Sequence, residues 1–363
     1  MKITQTKPLR LLFASTPVGA IGSGIGGGVE FILQNLAQEM IRRGHKVDIV
    51  APQGSITKFG HIIEIPGELQ TSMQLLNRDT PISIIPNFVL TNMWEFIREV
   101  QGNYDLIINF AYDWLPFYLS PFINTPIAHL VSVGSLSNVM DEIIEKTSIR
   151  FPGTIAVYTK AQAETFSFAS RCRIVGNGID LKDYQYCDQP DNYLVWVARI
   201  SPEKGLEDAV EVAKNTGIPL KIMGFLQDKS YWDNIQKSYP DAPIEYLGFL
   251  PIREMQLILR RSRGYLMTHR WSEAFGMTTI QALACGVPII TYNKGGPSEI
   301  VGHGQTGWLV EPDNLVELEK AIKNLDKIAR STCRQQAEAE YSIEAYGDRM
   351  ENWFDDILAQ MIS

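Results

Sequence analysis

The chain reads as an α/β protein built from two doubly wound domains, each a parallel sheet covered by helices on both faces. Three observations predict this. Short, almost wholly apolar runs recur along the chain, the pattern of strands buried on both faces rather than the alternation of half-exposed ones. Stretches of helical period separate them. The succession then starts again after a turn-rich segment, in a chain of 363 residues, longer than one core usually supports.

Taken in order, residues 9–14 form the first strand, and a glycine- and serine-rich loop runs over 15–28. Val29, Ile32, Leu33, Leu36, Ala37 and Met40 repeat at i, i+3, i+4 and i+7, which predicts an amphipathic helix. Arg42-Arg43-Gly44 ends it, with cations in the last turn and a glycine at the C′ position. Strands at 47–50, 106–109 and 127–131 complete a first domain over residues 1–175. Gly176-Asn-Gly-Ile-Asp180 through Asp188-Gln-Pro-Asp191 is dense in turn formers and predicts a hinge. A second set of strands, at 193–198, 220–223, 245–247, 265–267 and 287–290, builds a domain over 190–345. Trp353, Phe354 and Ile357 lie on one stripe of residues 342–361, which predicts a terminal helix; its part over 346–363 is expected to pack back on the first domain.

A formal net charge of -8 and a pI near 5.3 argue against nucleic acid as the main partner, because a phosphate backbone is held by concentrated lysine and arginine. Two basic clusters exist, Arg42-Arg43-Gly-His-Lys46 and Arg260-Arg261-Ser-Arg263. They read either as solvated helix ends or as a docking patch for peripheral association with an anionic membrane. Cys172, Cys187, Cys285 and Cys333 lack the close pairs of a zinc site or a secreted disulfide framework, which predicts a reducing cytoplasm. The apolar run near the start is too short for a signal peptide or a membrane span, and no other segment approaches one, so the expectation is a cytoplasmic protein, soluble or peripheral.

Gly22-Ser-Gly24-Ile-Gly-Gly27 fits a dinucleotide-binding fingerprint, with Asp48 downstream as a ribose partner. The fit fails on position. That fingerprint needs its first glycine directly after the strand, whereas Thr16 to Ile21 intervene here, and Asp48 falls inside its strand rather than at its end. A nicotinamide oxidoreductase is disfavoured on that ground.

The most informative stretch is Thr268-His-Arg-Trp-Ser-Glu273-Ala-Phe-Gly276-Met-Thr-Thr-Ile-Gln281-Ala-Leu-Ala-Cys-Gly286-Val-Pro288, followed by Gly295-Gly-Pro-Ser-Glu299. It places a strand, a polar loop with one carboxylate, and a glycine from which an apolar helix departs. Unpaired amides at the helix start then face the loop, where an anion can sit. A second constellation, Ala198-Arg-Ile-Ser-Pro-Glu-Lys204-Gly205, puts Arg199 and Lys204 in the loop leaving a buried strand. There a guanidinium fork and an ammonium point charge can converge on a diphosphate.

Together these blocks resemble the signature of retaining GT-B glycosyltransferases of family four, in which a Glu, seven intervening residues and a second Glu grip the sugar and ribose of a nucleotide-sugar. Gly27-Gly28-Val-Glu30 is similar to the family's Gly-Gly-x-Glu element, and Gly224, Tyr246-Leu-Gly-Phe-Leu250 and Gly304-Gln-Thr-Gly307-Trp-Leu-Val-Glu-Pro312 extend the likeness to nearly the whole chain beyond Gly27. The resemblance implies a GT-B fold, two Rossmann-like domains facing a cleft, with the donor held mainly by the second and the acceptor by the first. It implies that Arg199 and Lys204 neutralise the leaving diphosphate and that Glu273 reaches donor-sugar hydroxyls. Backbone near Gly224 and Leu250 would hold the base, and the amides of Phe275, Gly276, Met277 and Thr278 the sugar and phosphate. Gly27 and Gly28 would let the ligand approach backbone amides, and Gln281 stands at the ribose position.

The chain departs from the family pattern twice. Gln281 replaces the second Glu, and Ser132 stands six residues after Pro126, where the family usually has a His. His129 lies three residues before Ser132 and on a regular strand points to the opposite face. It reads either as a core residue or, with Ser132, as a candidate catalytic contact to the donor. No Asp-x-Asp and no His, Cys and carboxylate cluster with metal-ligand spacing occurs, so the resemblance implies metal-free chemistry with Arg199 and Lys204 in the metal's place. The expected function is retaining transfer of a hexose from a UDP-sugar, in the glucose form, with no cofactor beyond that co-substrate. A lipid-linked glycan, a polysaccharide and a small metabolite all stand as acceptors. The alternative is a nucleotide-sugar-binding subunit that kept the fold and lost turnover, motivated by Gln281 and Ser132.

Overall fold

The computed structural model describes residues 7–24, 27–73, 77–78, 80–83 and 85–360. Ile25 and Gly26 of the glycine-rich loop, the first six residues and Met361 of the expected last helix lie outside them. The chain forms two units, one of residues 1–177 with 343–363, the other of 178–342.

The first unit holds the strands β1 (Arg10–Ala14), β2 (Lys46–Pro52), β3 (His61–Ile65), β4 (Leu106–Asn109), β5 (Ile127–Leu130), β6 (Ile155–Val157) and β7 (Arg173–Ile174). They make one parallel sheet in the order β3-β2-β1-β4-β5-β6-β7. The second unit repeats the plan with β8 (Leu194–Val197), β9 (Leu220–Met223), β10 (Ile244–Tyr246), β11 (Gly264–Met267), β12 (Ile289–Tyr292) and β13 (Gly307–Val310). Their order, β10-β9-β8-β11-β12-β13, is again wholly parallel. In both sheets the order reverses beside the first strand, the place where open α/β sheets leave a crevice at the strands' carboxyl ends. The expected fold class, α/β with two doubly wound GT-B-type domains, is the one observed.

The apolar runs are apolar because their strands have no exposed face. Leu11 to Ala14, Leu106 to Ile108 and Leu194 to Trp196 are buried, with helices on either side. Trp94 packs with Leu12, Ile107 and Met93 in one core, and Trp196 with Leu206, Val210, Ile222 and Leu266 in the other. Each such ring or aliphatic chain contributes about 1.5–3 kcal/mol by leaving water.

The terminal helix Ile343–Gln360 belongs to the first unit through polar contacts as well as its Trp353 stripe. Arg43 bridges it to the helix Gly27–Arg42, its guanidinium meeting Asp348 at 2.7 Å and the Glu344 carbonyl at 2.6 Å while its Nε pairs with Glu39 at 2.6 Å. Arg349 donates to the carbonyls of Val175 and Asn177 at 2.7 and 2.9 Å, and Trp353 Nε1 to Gly153 at 2.7 Å. Arg42, Arg43 and His45 of the first basic cluster and the three arginines of the second meet acceptors of the chain itself: in the second, Arg261 pairs with Asp191, Arg263 with Asp326, and Arg260 donates to Gln185. Among the described residues no helix is long and apolar enough to cross a membrane.

Candidate donor site

Two loops at the carboxyl ends of neighbouring strands build the site in the second unit. After β8 the chain passes Arg199 and enters a short 3-10 turn, Pro202–Lys204. After β11 it passes Thr268 to Phe275 and enters the helix Met277–Ala284. Hydrogen bonds tie the loops together: Thr268 Oγ1 donates to the Gly205 carbonyl at 2.6 Å, and the Arg270 amide to the Glu203 carbonyl at 2.9 Å. Arg270 adds ion pairs to Glu207, to Asp208 at 2.9 Å and to Asp313 at 3.2 Å. Tyr292 donates its hydroxyl to the other oxygen of Asp208 at 2.6 Å.

This bracing brings Lys204 and Glu273 into direct contact as a salt bridge. The two side chains are only 11% and 15% exposed, and the ammonium also sits 4.6 Å from the centre of the Trp271 ring. Burial raises the Glu273 carboxyl, but the charge and hydrogen bond of Lys204 outweigh it, so the group is held below its ordinary value, as an anion. Arg199 is more exposed; it donates to Gln227 and lies 3.5 Å from Glu203.

The Glu273 loop is seated on the Gly295-Gly296 turn. A Cβ on Gly296 would meet Ala274 O and Phe275 Cα at 2.7 Å, and the Gly296 amide donates to the Glu273 carbonyl at 2.7 Å. Only bare backbone fits so close. Phe275 is buried, Gly276 is the helix N-cap with no side-chain cap, and no carboxylate stands in the first turn. The leading amides of Met277 and Thr278 are therefore without the acidic or capping group that usually serves a helix start. Thr278 Oγ1 shares a 2.6 Å hydrogen bond with the Tyr265 hydroxyl.

Gly224 follows β9, with a φ of +147, its amide donating to Gly248 and its carbonyl accepting from Tyr246. Leu250 is half-buried at the end of the segment after β10. Gln281 is 6% exposed, and its amide nitrogen donates to the hydroxyl of Tyr184, itself 3% exposed, at 2.9 Å. That bond commits the nitrogen and leaves the carbonyl oxygen as the end free to accept.

The first-unit candidates are placed differently. Gly27 and Gly28 were expected in the loop after β1 but form the first turn of the helix Gly27–Arg42, exposed and with open space at both Cβ positions. Glycine conceals helix starts from a periodicity reading, because it has no side chain to join the stripe. Ser132 lies two residues beyond the end of β5 and is half-buried.

His129 stands in the core, the first of the two readings its place on the strand left open. It is 1% exposed and stacks on Phe117 at 4.3 Å. Asn109 Nδ2 lies 3.2 Å from its Nδ1, and Ser120 Oγ lies 2.9 Å from its Nε2 while donating to the Pro116 carbonyl. The chain of donors is consistent only with a neutral ring protonated at Nε2. Burial depresses its pKa to about 3. An unfolded imidazole titrates near 6.5, so between these values the unfolded state binds more protons and stability rises with pH. The contribution is complete above about pH 6.5 and falls by about 1.4 kcal/mol per unit as the pH drops toward 3. Denaturant melts should therefore show about 2 kcal/mol lost between about pH 7 and about pH 5, and His129→Gln should remove that part of the slope. Equal pH slopes in the two proteins would contradict the buried neutral ring.

Three contributors escaped the sequence reading. Trp271 stands two residues before Glu273, so its loop was in view but not its face toward Lys204. Tyr184 is 97 positions from Gln281 and carried no signal. Gln227, on Arg199, likewise lies in an otherwise unmarked turn.

The fold and this site define a class. The family model "Glycosyltransferase Family 4" matches residues 26–183 and "Glycosyl transferases group 1" matches 185–341. The chain belongs to the family-four GT-B glycosyltransferases.

Among its relatives is a D-inositol 3-phosphate glycosyltransferase of Rhodococcus erythropolis, 25% identical over 90% of this chain and 84% of that protein. An uncharacterized glycosyltransferase of Methanocaldococcus jannaschii is 27% identical over 47% of this chain and 48% of its own length. A glycogen synthase of Mycobacterium tuberculosis is 27% identical over 45% and 42%. The chain thus spans about half the length of these last two relatives. In fold it is similar to the Anabaena protein HepE in complex with UDP-glucose, with a TM-score of 0.74 at 17% identity over 96% of this chain and 100% of that one. It is also similar to a sucrose-phosphate synthase from Thermosynechococcus elongatus, with a TM-score of 0.75 at 17% identity over 97% and 99%.

Proposed function

We propose that the protein transfers a hexose, with retention of configuration and without a metal ion, from UDP-glucose or a close UDP-sugar to a glycan, lipid-linked or small-molecule acceptor. The observation that carries this reading is the meeting of Lys204, Glu273 and the uncapped helix start at Gly276 in one half-buried site, with Arg199 on the same loop as Lys204. The two cations would take the charge that builds on the diphosphate as the glycosidic bond breaks. Glu273 would accept from sugar hydroxyls and fix the ring against them. The acceptor hydroxyl would approach the face that the diphosphate leaves, since no nucleophile is identified on the opposite face. The UDP-glucose-bound HepE structure supports the choice of donor, and the four scattered thiols, all free, support a reducing cytoplasm.

Isothermal calorimetry with a panel of nucleotide-sugars, followed by UDP release from the tightest, tests the reading. Binding to a UDP-sugar with release of UDP supports it. Binding without any turnover, even to water, favours the subunit that kept the fold and lost activity.

Gln281 offers a finer check. A carboxylate there would accept from ribose hydroxyls through a charged bond, worth about 0.5–2 kcal/mol more than the neutral carbonyl provides. Gln281→Glu should tighten UDP by about twofold to thirtyfold, with Tyr184 donating to the second oxygen. Unchanged or weaker binding would place Gln281 off the ribose.

A further inference from the structure

The Lys204–Glu273 salt bridge joins the two groups to which the proposed function gives separate ligands, the diphosphate and the sugar. In the ligand-free protein each is the other's partner. Resting on that functional reading, we propose that Glu273 is a built-in competitor for Lys204, so that the site distinguishes the intact donor from the spent nucleoside diphosphate.

A diphosphate arriving alone must take Lys204 from a carboxylate that is largely out of water, and it leaves that carboxylate without its cation beside the new anion. Both effects oppose binding. A diphosphate that carries a sugar brings hydroxyl donors for Glu273, so the carboxylate exchanges one partner for another. The Trp271 face, 4.6 Å from the ammonium, keeps Lys204 in place while its carboxylate partner changes. The Gly295-Gly296 turn holds the Glu273 backbone, which confines the exchange to the side chains. After transfer the sugar hydroxyls leave with the product, Glu273 returns to Lys204, and the diphosphate loses its ammonium.

Calorimetry with UDP, inorganic pyrophosphate and UDP-glucose on the wild-type protein, Glu273→Gln, Lys204→Met and the double variant tests this. Glu273→Gln should tighten UDP and pyrophosphate on the order of tenfold while weakening UDP-glucose relative to UDP. In the Lys204→Met background the same change should give a gain several-fold smaller, because only the repulsion between carboxylate and anion is left for it to relieve. A tenfold gain that persists without Lys204 would show a general field of the carboxylate and overturn the exchange. Wild-type binding of UDP with no gain in Glu273→Gln would overturn it too, while leaving the functional reading standing. Absence of UDP and UDP-glucose binding in the wild-type protein would overturn both. Glu273→Ala repeats the test should the amide misplace the loop, and the same gain is expected there.

Discussion

Lys204→Ala should lower turnover with a UDP-sugar by about a hundredfold or more, and Arg199→Ala by a similar factor. Each removes a cation placed where negative charge builds as the diphosphate departs. Lys204 has the stronger case: it is 11% exposed, so little solvent screens it, and it is anchored by the Trp271 ring as well as by Glu273. Arg199 is about a third exposed and is met by Gln227 and, at 3.5 Å, by Glu203. The loss should fall on kcat rather than on KM in both, because the charge they meet is greater in the transition state than in the bound donor. Steady-state kinetics decide it: near-normal kcat in both variants removes the pair from the site.

Gly224→Ala should be the most damaging single methyl in the second unit. Its Cβ would lie 1.8 Å from the Ala198 carbonyl oxygen and 2.6 Å from the carbonyl carbon, both backbone atoms with no side-chain freedom to move aside. The φ of +147 adds strain for any L residue. Either β8 and β9 part at their carboxyl ends or the loop carrying Arg199 shifts; a cost of about 3 kcal/mol or more is expected. Thermal melts with and without UDP measure it. A variant that melts with the wild type and binds UDP equally would show that the turn after β9 can relax.

How much of this could be read from the sequence follows from where each residue's constraint lies. The central strands were legible because double-sided burial makes β1, β4, β8 and β11 nearly continuous apolar runs. By contrast β3 is an edge strand with mixed burial, and β7 has two residues, both exposed, so neither left a pattern above the background of loops. The loop with Glu273 was legible because glycines and a polar run interrupt apolar neighbours. Its geometry was not, since Lys204 and Glu273 are 69 residues apart and meet because β8 and β11 end side by side. His129 shows the limit most plainly: periodicity gives its face of the strand, but only Phe117, Asn109 and Ser120 around it show that this face is interior.

Direct observation of transfer to water tests the central claim, that two protein cations rather than a metal ion carry the departing diphosphate. The protein is incubated with UDP-glucose in EDTA, and the first-formed glucose anomer and UDP are followed by nuclear magnetic resonance, with Lys204→Ala alongside. The expected result is slow release of UDP with α-glucose appearing first in the wild-type protein and a loss of about a hundredfold in the variant. Release abolished by EDTA and restored by magnesium or manganese, or undiminished in Lys204→Ala, would contradict the account.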